Sequence, residues 1–256
     1  MPSHHNKHAF EKVFHCAIHR IPHTFHFGDE LLKIEEMRQR LELDKDCFLF
    51  YTIASWQDRK NLEQTVNSFS EAFEEEERAR LVIKTSFGPY SPIRCEDALD
   101  LKFMRKGQAG ALASRVTIES KPWSRAAIAT LHRVGSCYVS LHSGEGWGYP
   151  LFESVCSGNN VVATRYGGPL DYLQGNLHAL VQFEMVPVQQ NYRQFGADMV
   201  WAMPDFKDAV VRLRSVFHNA VSKSPQALDY GSQLKHDHSL QVIGGMFASL
   251  FDLLWK

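Results

Sequence analysis

Apolar and polar positions along this chain change period several times. Cys47 to Ser55, "CFLFYTIAS", is a continuous apolar run of strand length, and the following "NLEQTVNSFSEAF" sets Leu62, Val66, Phe69 and Phe73 at helical spacing. The same alternation continues. "RLVIKTS" (Arg80 to Ser86) reads as a second strand, followed by a loop with Gly88, Pro89 and Pro92. "RVTIES" and "CYVSLH" read as a third and fourth strand, with "PWSRAAIATLHRV" as the helix between them. "NNVVATRYGG" gives a fifth strand and "HALVQF" (His178 to Phe183) a short sixth. Strands apolar on both faces that alternate with helices are what a parallel sheet requires, because parallel neighbours need crossovers. The pattern therefore predicts an α/β fold with a doubly wound, Rossmann-like parallel sheet.

The flanks are helical. "ELLKIEEMRQRLEL" mixes apolar and charged residues as a helix does. Late in the chain, Asp205 is placed to cap "FKDAVVRLRSVFHNAV", whose Phe206, Val210, Leu213, Phe217 and Ala220 share one face. A last amphipathic helix closes the sequence. The acidic cluster Glu74 to Glu77 falls at a helix end, where negative charge opposes the dipole, so it reads as a solvated terminus. "LQVIGGMFASLFDLLW" is interrupted by Gly244, Gly245 and Asp252 and is shorter than the roughly 20 residues a membrane span needs.

Composition narrows the partners. With 28 basic and 29 acidic side chains there is no net field to draw a polyanion, which argues against nucleic acid. Cys16, Cys47, Cys95, Cys137 and Cys156 are odd in number, widely spaced and without a CxxC pair, so they read as reduced, structural thiols. No signal-peptide core opens the chain, and a cytoplasmic protein is expected. Seven histidines precede Phe27, at positions 4, 5, 8, 15, 19, 23 and 26. The triple His4, His5 and His8 lacks a carboxylate partner, so residues 1–26 are expected to form a flexible arm that binds metal weakly at most, with residues 27–256 forming the domain.

The chemistry concentrates in "SLHSGEGWGYPLFESVCSGNNVVATRYGGPLDYL", Ser140 to Leu173, which starts at the carboxyl end of a strand, where open parallel sheets place ligand crevices. Gly144, Gly146 and Gly148 permit close backbone approach, and Pro150 suits the first residue of a helix that stops at Gly158. Unpaired amides and the positive dipole end at such a start form an anion site fit for a diphosphate. Glu145 precedes the turn and Glu153 lies one turn into the helix. Either carboxylate can accept from sugar or ribose hydroxyls; for Glu153, a charge that merely complements the helix dipole is the competing reading.

"EGWGYPLFE" resembles the E, seven residues, E motif of the retaining glycosyltransferases of family 4. "DRKNLEQTVNSF" resembles their phosphate-binding turn, "LVIKTS" their second strand, and "VVATRYGGPLDYL" their following strand and loop. "MVPV" and "WAMPDFKDAVVRL" resemble late segments of mannosyl- and rhamnosyl-type transferases of surface-polysaccharide assembly. The resemblance runs from about Ile21 to the C-terminus and implies the C-terminal, donor-binding half of a GT-B fold. It implies that Lys60 contacts the donor diphosphate, with Arg59 beside it, and that Glu145 contacts the transferred sugar. It also implies that Glu153 holds the ribose, that Gly146, Trp147, Gly148, Tyr149, Pro150 and Leu151 form the sugar- and phosphate-binding turn, and that Val116 and Ile118 line the base pocket. Pro150 itself brings no amide donor.

One departure stands out: Ala54 and Ser55 occupy the places where the family often has Gly-Arg, so one charge-assisted contact to the leaving diphosphate is missing unless Arg59 supplies it. The resemblance implies a nucleotide-diphosphate sugar as donor, a glycan or lipid-linked hydroxyl acceptor, and no metal or other cofactor, since cationic side chains can replace a divalent ion at the diphosphate. It also implies an acceptor-binding domain that residues 1–26 cannot provide. Three outcomes stay open: a separate acceptor-domain polypeptide, a truncated transferase, or a non-catalytic nucleotide-sugar module. With a lipid-linked acceptor or such a partner, peripheral contact with the inner membrane face is expected.

Overall fold

The apolar run after Cys47 becomes β1 (Phe48–Ile53), whose alternate side chains feed two separate cores. In the computed structural model, which describes residues 1–26, 31–74, 78–86, 115–188, 196, 198–219 and 223–255, β1 lies near the middle of a six-stranded sheet. Its companions are β2 (Ala79–Lys84), β3 (Val116–Glu119), β4 (Cys137–Ser140), β5 (Asn160–Thr164) and β6 (Ala179–Val181). The order is β3-β2-β1-β4-β5-β6 and every pairing is parallel. The expected Rossmann-like sheet is thus present. Strand order reverses between β1 and β4, so the crevice of the sheet opens beyond the carboxyl ends of those two strands.

Phe50 points toward a core of Leu62, Val66, Phe69, Phe73 and Leu213, beneath α3 (Leu62–Ala72) and α6 (Phe206–Asn219). Leu49 and Tyr51 point the other way, into Leu131, Leu151, Phe152, Val155 and Leu234. That second core is roofed by α2 (Ile34–Arg40), α4 (Arg125–Val134), α5 (Tyr149–Cys156) and α7 (Pro225–Asp237). The caps follow the sequence: Ser124 accepts from the Ala127 amide at the start of α4, and Asp205 accepts from the Asp208 amide at 2.7 Å at the start of α6. Phe206, expected on the buried face of α6, is exposed, and the face is completed by Ala209 instead; Ala220 lies outside the described residues.

Two further expectations change. The sixth strand is shorter than "HALVQF", because Phe183 already belongs to β7 (Phe183–Pro187), which pairs antiparallel with β8 (Val200–Pro204) in a separate two-stranded sheet. The histidine-rich start is not a loose arm. Ser3, buried, caps α1 (His4–Glu11) by accepting from the Asn6 amide, and the segment is pinned at both ends: the Ile21 amide donates to the Met1 carbonyl and the Phe25 amide to the His238 carbonyl. His4, His5 and His8 thereby acquire a helical frame, yet no group of three or more His, Cys, Asp or Glu suited to a metal occurs among the described residues. The loop of Gly88, Pro89 and Pro92, Cys95 and Glu75 to Glu77 lie outside the described residues.

Burial pushes the Cys47 thiol up to about 11 and the Cys156 thiol up to about 12, so neither carries appreciable thiolate at neutral pH. The chain's last helix, α8 (Leu240–Leu254), leaves Phe247, Phe251 and Leu254 exposed. No helix among the described residues is long and apolar enough to cross a membrane.

Candidate active site

Two turns meet at the sheet's switch point. After β1, a short 3-10 helix (Asp58–Lys60) hands over to α3 through Asn61, which takes the left-handed conformation at φ 49°. After β4, the chain runs through Ser143 and the glycine turn into α5. Backbone and side chain tie the two together: the Ser143 amide donates to the Arg59 carbonyl at 2.8 Å, and Asn61 Nδ2 donates to Ser143 Oγ at 2.7 Å. Arg59 Nη1 donates to the Gly144 carbonyl at 3.0 Å and lies 3.8 Å from the Glu145 carboxylate. Lys60 Nζ donates directly to Glu145 Oε2. The two residues expected to do the chemistry, far apart in sequence, are therefore an ion pair in a largely buried setting.

The glycine turn is braced from below. Gly167 takes a positive φ of 87°, and the Gly168 amide donates to the Glu145 carbonyl at 2.8 Å. A Cβ on Gly168 would lie 1.8 Å from the Gly146 carbonyl oxygen, so that approach requires glycine. Tyr172 donates its hydroxyl proton to the Trp147 carbonyl, which fixes the approach to α5. Gly148, at φ 79°, is the N-cap of α5, Tyr149 opens the helix and Pro150 follows. The Leu151 side chain is buried, so it can serve a ligand only through its amide at the open helix start. Gly144 has open space where a Cβ would sit.

Other expected residues separate from this centre. Trp147 is buried against Phe152, Tyr172 and His238, with His23 at its edge, so its indole braces the turn rather than facing a ligand. Val116 and Ile118 pack into the core beside α3, on β3, with β2 and β1 between them and β4. Glu153 is 2% exposed, paired through Oε1 with Arg125 Nη2, and its Oε2 lies 3.5 Å from His132 Nε2. Glu145 thus has two cations beside it, Lys60 and Arg59, whereas Glu153 has one, Arg125, with a buried imidazole on its other side.

Burial alone would raise the Glu145 carboxyl, but Lys60, His142 and Arg59 outweigh it and hold it below its ordinary value. His142, buried behind the glycine turn, is pulled down by burial; its Nε2 meets the Tyr166 carbonyl at 2.9 Å and its Nδ1 the Ser140 hydroxyl at 3.0 Å. The N-terminal segment covers one side of the turn: Asn6 approaches Gly146, and His4 and Arg20 both reach Asp171. Sequence pattern gave no signal for Arg125, His132, His142 or Asn6, because a lone polar residue in an apolar helix or beside a glycine turn carries no period of its own.

No protein-family profile matches the chain, and no curated protein matches it by sequence. Solved structures do. Sucrose-phosphate synthase from Thermosynechococcus elongatus superposes with a TM-score of 0.66 at 15% identity, over 93% of this chain and 52% of that one. The fold is that of the GT-B glycosyltransferases. Pneumococcal O-GlcNAc transferase GtfA gives a TM-score of 0.64 at 15% identity, over 98% of this chain and 43% of that one. WaaG, a glycosyltransferase involved in lipopolysaccharide biosynthesis, gives 0.61 at 14% identity, over 93% of this chain and 57% of that one. The chain accordingly spans about half the length of these GT-B structures.

Proposed function

We propose that this chain is the donor-binding part of a retaining glycosyltransferase of the family 4 type, taking a nucleotide-diphosphate sugar and passing its glycosyl group to a hydroxyl acceptor. One observation carries the reading: at the switch point of a GT-B-type sheet, Arg59, Lys60 and the open start of α5 converge on Glu145. GtfA, a structural neighbour, was solved with UDP and GlcNAc. The cation pair and the helix start suit a diphosphate, and the carboxylate suits the hydroxyls of the sugar beside it.

In the proposed reaction the acceptor oxygen attacks the anomeric carbon on the face from which the diphosphate departs. The bond from that carbon to the phosphate oxygen breaks, a bond to the acceptor oxygen forms, and the acceptor proton goes to the departing phosphate. Lys60 and the α5 amides stabilise the charge that develops on the diphosphate, which is where a preorganised site gains most. Arg59 takes the place of the family arginine absent at Ser55. Glu145 orients the sugar; it is not a nucleophile. Cationic side chains do the work a divalent ion does elsewhere, and no metal is needed. Acceptor residues come from outside this sequence, whether on a partner polypeptide or on further chain, and the mannosyl- or rhamnosyl-type resemblance points to a surface polysaccharide or its lipid-linked precursor.

Calorimetric titration of the folded chain with UDP, GDP and their sugars tests the donor site. Binding of at least one is expected, and heat from none of them would end the reading. Donor hydrolysis, where present, should vanish in Lys60→Ala and in Glu145→Ala.

A further inference from the structure

Beneath the second motif glutamate runs a chain of buried polar groups that the glycosyl-transfer chemistry above does not use. Tyr51 stands on β1, His132 on α4, Glu153 on α5 and Asn159 just after α5, and all four are buried. The Tyr51 hydroxyl lies 2.7 Å from His132 Nδ1. Asn159 Nδ2 donates to the same phenol oxygen at 2.7 Å and to the His132 carbonyl at 2.8 Å. With its oxygen accepting from Asn159, the phenol turns its proton toward Nδ1. That leaves the hydrogen on Nε2, which faces Glu153 Oε2 at 3.5 Å. The tyrosine ring packs against Gly135 in the space a Cβ there would need, so that position requires glycine.

Placing a carboxylate here is expensive: Glu153 lies on a helix whose Leu151, Phe152, Val155 and Cys156 are all buried, and an apolar side chain at the same place would avoid the cost of desolvating a charge. The arrangement makes sense if the carboxylate has a ligand to meet. Arg125 takes one site on Oε1 and His132 faces Oε2, while a carboxylate offers about four acceptor sites in all. Acceptor capacity is therefore left for the two donors of a vicinal diol. Arg125 is half exposed and also donates to the His26 carbonyl, so it forms the outer wall of this position and His132 the inner one.

We infer that His132, oriented by Tyr51 and Asn159, is a positioning residue that fixes the Glu153 carboxylate for a ribose diol, and so sets how strongly the site separates a ribonucleotide from its deoxy counterpart. The inference rests on the donor-site reading above and adds to it a residue that neither the E, seven residues, E motif nor the glycine turn contains. His132 touches neither nucleotide nor sugar. Its influence passes through Glu153 alone, which is what separates it from a residue that merely holds the core together.

The test is calorimetry on the full chain with UDP and GDP, followed by the 2′,3′-dideoxy form of whichever binds tighter. The unaltered protein should favour the ribonucleotide by about tenfold or more, one to two hydrogen bonds' worth. His132→Phe should lower ribonucleotide affinity by about tenfold and leave the dideoxy ligand within about twofold, so that discrimination collapses. Tyr51→Phe, which removes one oxygen, should shift the ratio in the same direction by less, and it carries the test if His132→Phe does not fold. His132→Gln, which keeps an N–H donor, should recover part of the ratio. Equal weakening of both ligands, or an unchanged ratio in both variants, overturns the inference while leaving the donor site standing. If the unaltered protein binds a nucleotide diphosphate without favouring ribose, the Glu153 assignment itself is wrong; if it binds neither UDP nor GDP, the donor-site reading falls and takes this inference with it.

Discussion

Lys60 and Glu145 hold each other, so on the proposed donor reading a diphosphate would have to share the lysine with the carboxylate. The two residues should therefore respond in opposite ways to bare nucleotide diphosphate. Lys60→Ala removes a charge-assisted donor worth about 1.5–3 kcal/mol and should weaken UDP or GDP by roughly ten- to a hundredfold. Glu145→Gln removes a negative charge facing the phosphates and should leave that affinity unchanged or tighter, while abolishing turnover of the sugar donor. Calorimetry on the two variants with diphosphate alone reads the difference directly, and parallel losses would show that Glu145 holds the site's shape rather than the sugar. The pair also has a pH signature. Glu145 is held below its ordinary value of 4.5, so the stability it contributes is fully present above that value and is lost as pH falls through its lower folded value. Both residues were legible in the sequence because each sits beside a turn that announces itself, whereas the partners of Glu153 were not, since nothing in "ATLHRV" distinguishes a core histidine from a functional one.

At the level of elements, the site depends on α5 being aimed by a turn that is itself seated on another turn. The Gly168 amide holds the Glu145 carbonyl, and the space for a side chain at Gly168 is already filled by the Gly146 carbonyl oxygen at 1.8 Å. Gly168→Ala should push the two turns apart, cost about 1–3 kcal/mol of stability and weaken diphosphate binding along with it. Urea unfolding paired with calorimetry checks both, and an alanine variant with unchanged binding would mean that the glycine turn is positioned independently of Gly168. The same dependence explains what periodicity could and could not show. β1, β2, β4 and β5 are buried on both faces, so their apolar runs stand out from any neighbour. β7 and β8 are half exposed and, among the described residues, pair with each other alone, and their mixed residues carry neither a clean period of two nor a continuous apolar run. α1 was hidden for another reason: its histidines look like a solvated tract until Ser3 and Asn6 are seen packed on the glycine turns. The glycine turn and the helix after it were readable; the reversal of strand order that brings Lys60 to Glu145 was not, because order in a sheet is decided by contacts between distant segments.

Across the whole molecule, the thirteen histidines have a consequence that no single site shows. His23 and His238 flank Trp147, His132 lies under Glu153, His142 lies behind the glycine turn, and His178 closes the loop before β6 by accepting from the Gln174 amide at 2.8 Å. Burial lowers all five, because the charged imidazolium loses its hydration there; Glu153 and Glu145 pull His132 and His142 back up without reversing the direction. His178 falls to about 4 from an ordinary 6.5. The sign follows from proton counting. Between those two values the unfolded chain binds a proton that the folded chain refuses, so stability rises with pH across that window and is fully present above 6.5. For His178 alone the loss on reaching the bottom of the window is about 3 kcal/mol, a sizeable share of the roughly 5–15 kcal/mol that holds a domain folded. The four other histidines act in the same direction. Thermal or urea midpoints should therefore be flat between about pH 7 and 8 and fall steeply below about 6.5, well before Glu145 begins to take up its proton. His178→Gln, which keeps an acceptor for the Gln174 amide and cannot charge, should flatten part of that slope, while a midpoint that holds steady down to about pH 5 would show that the buried histidines are already protonated in the folded protein.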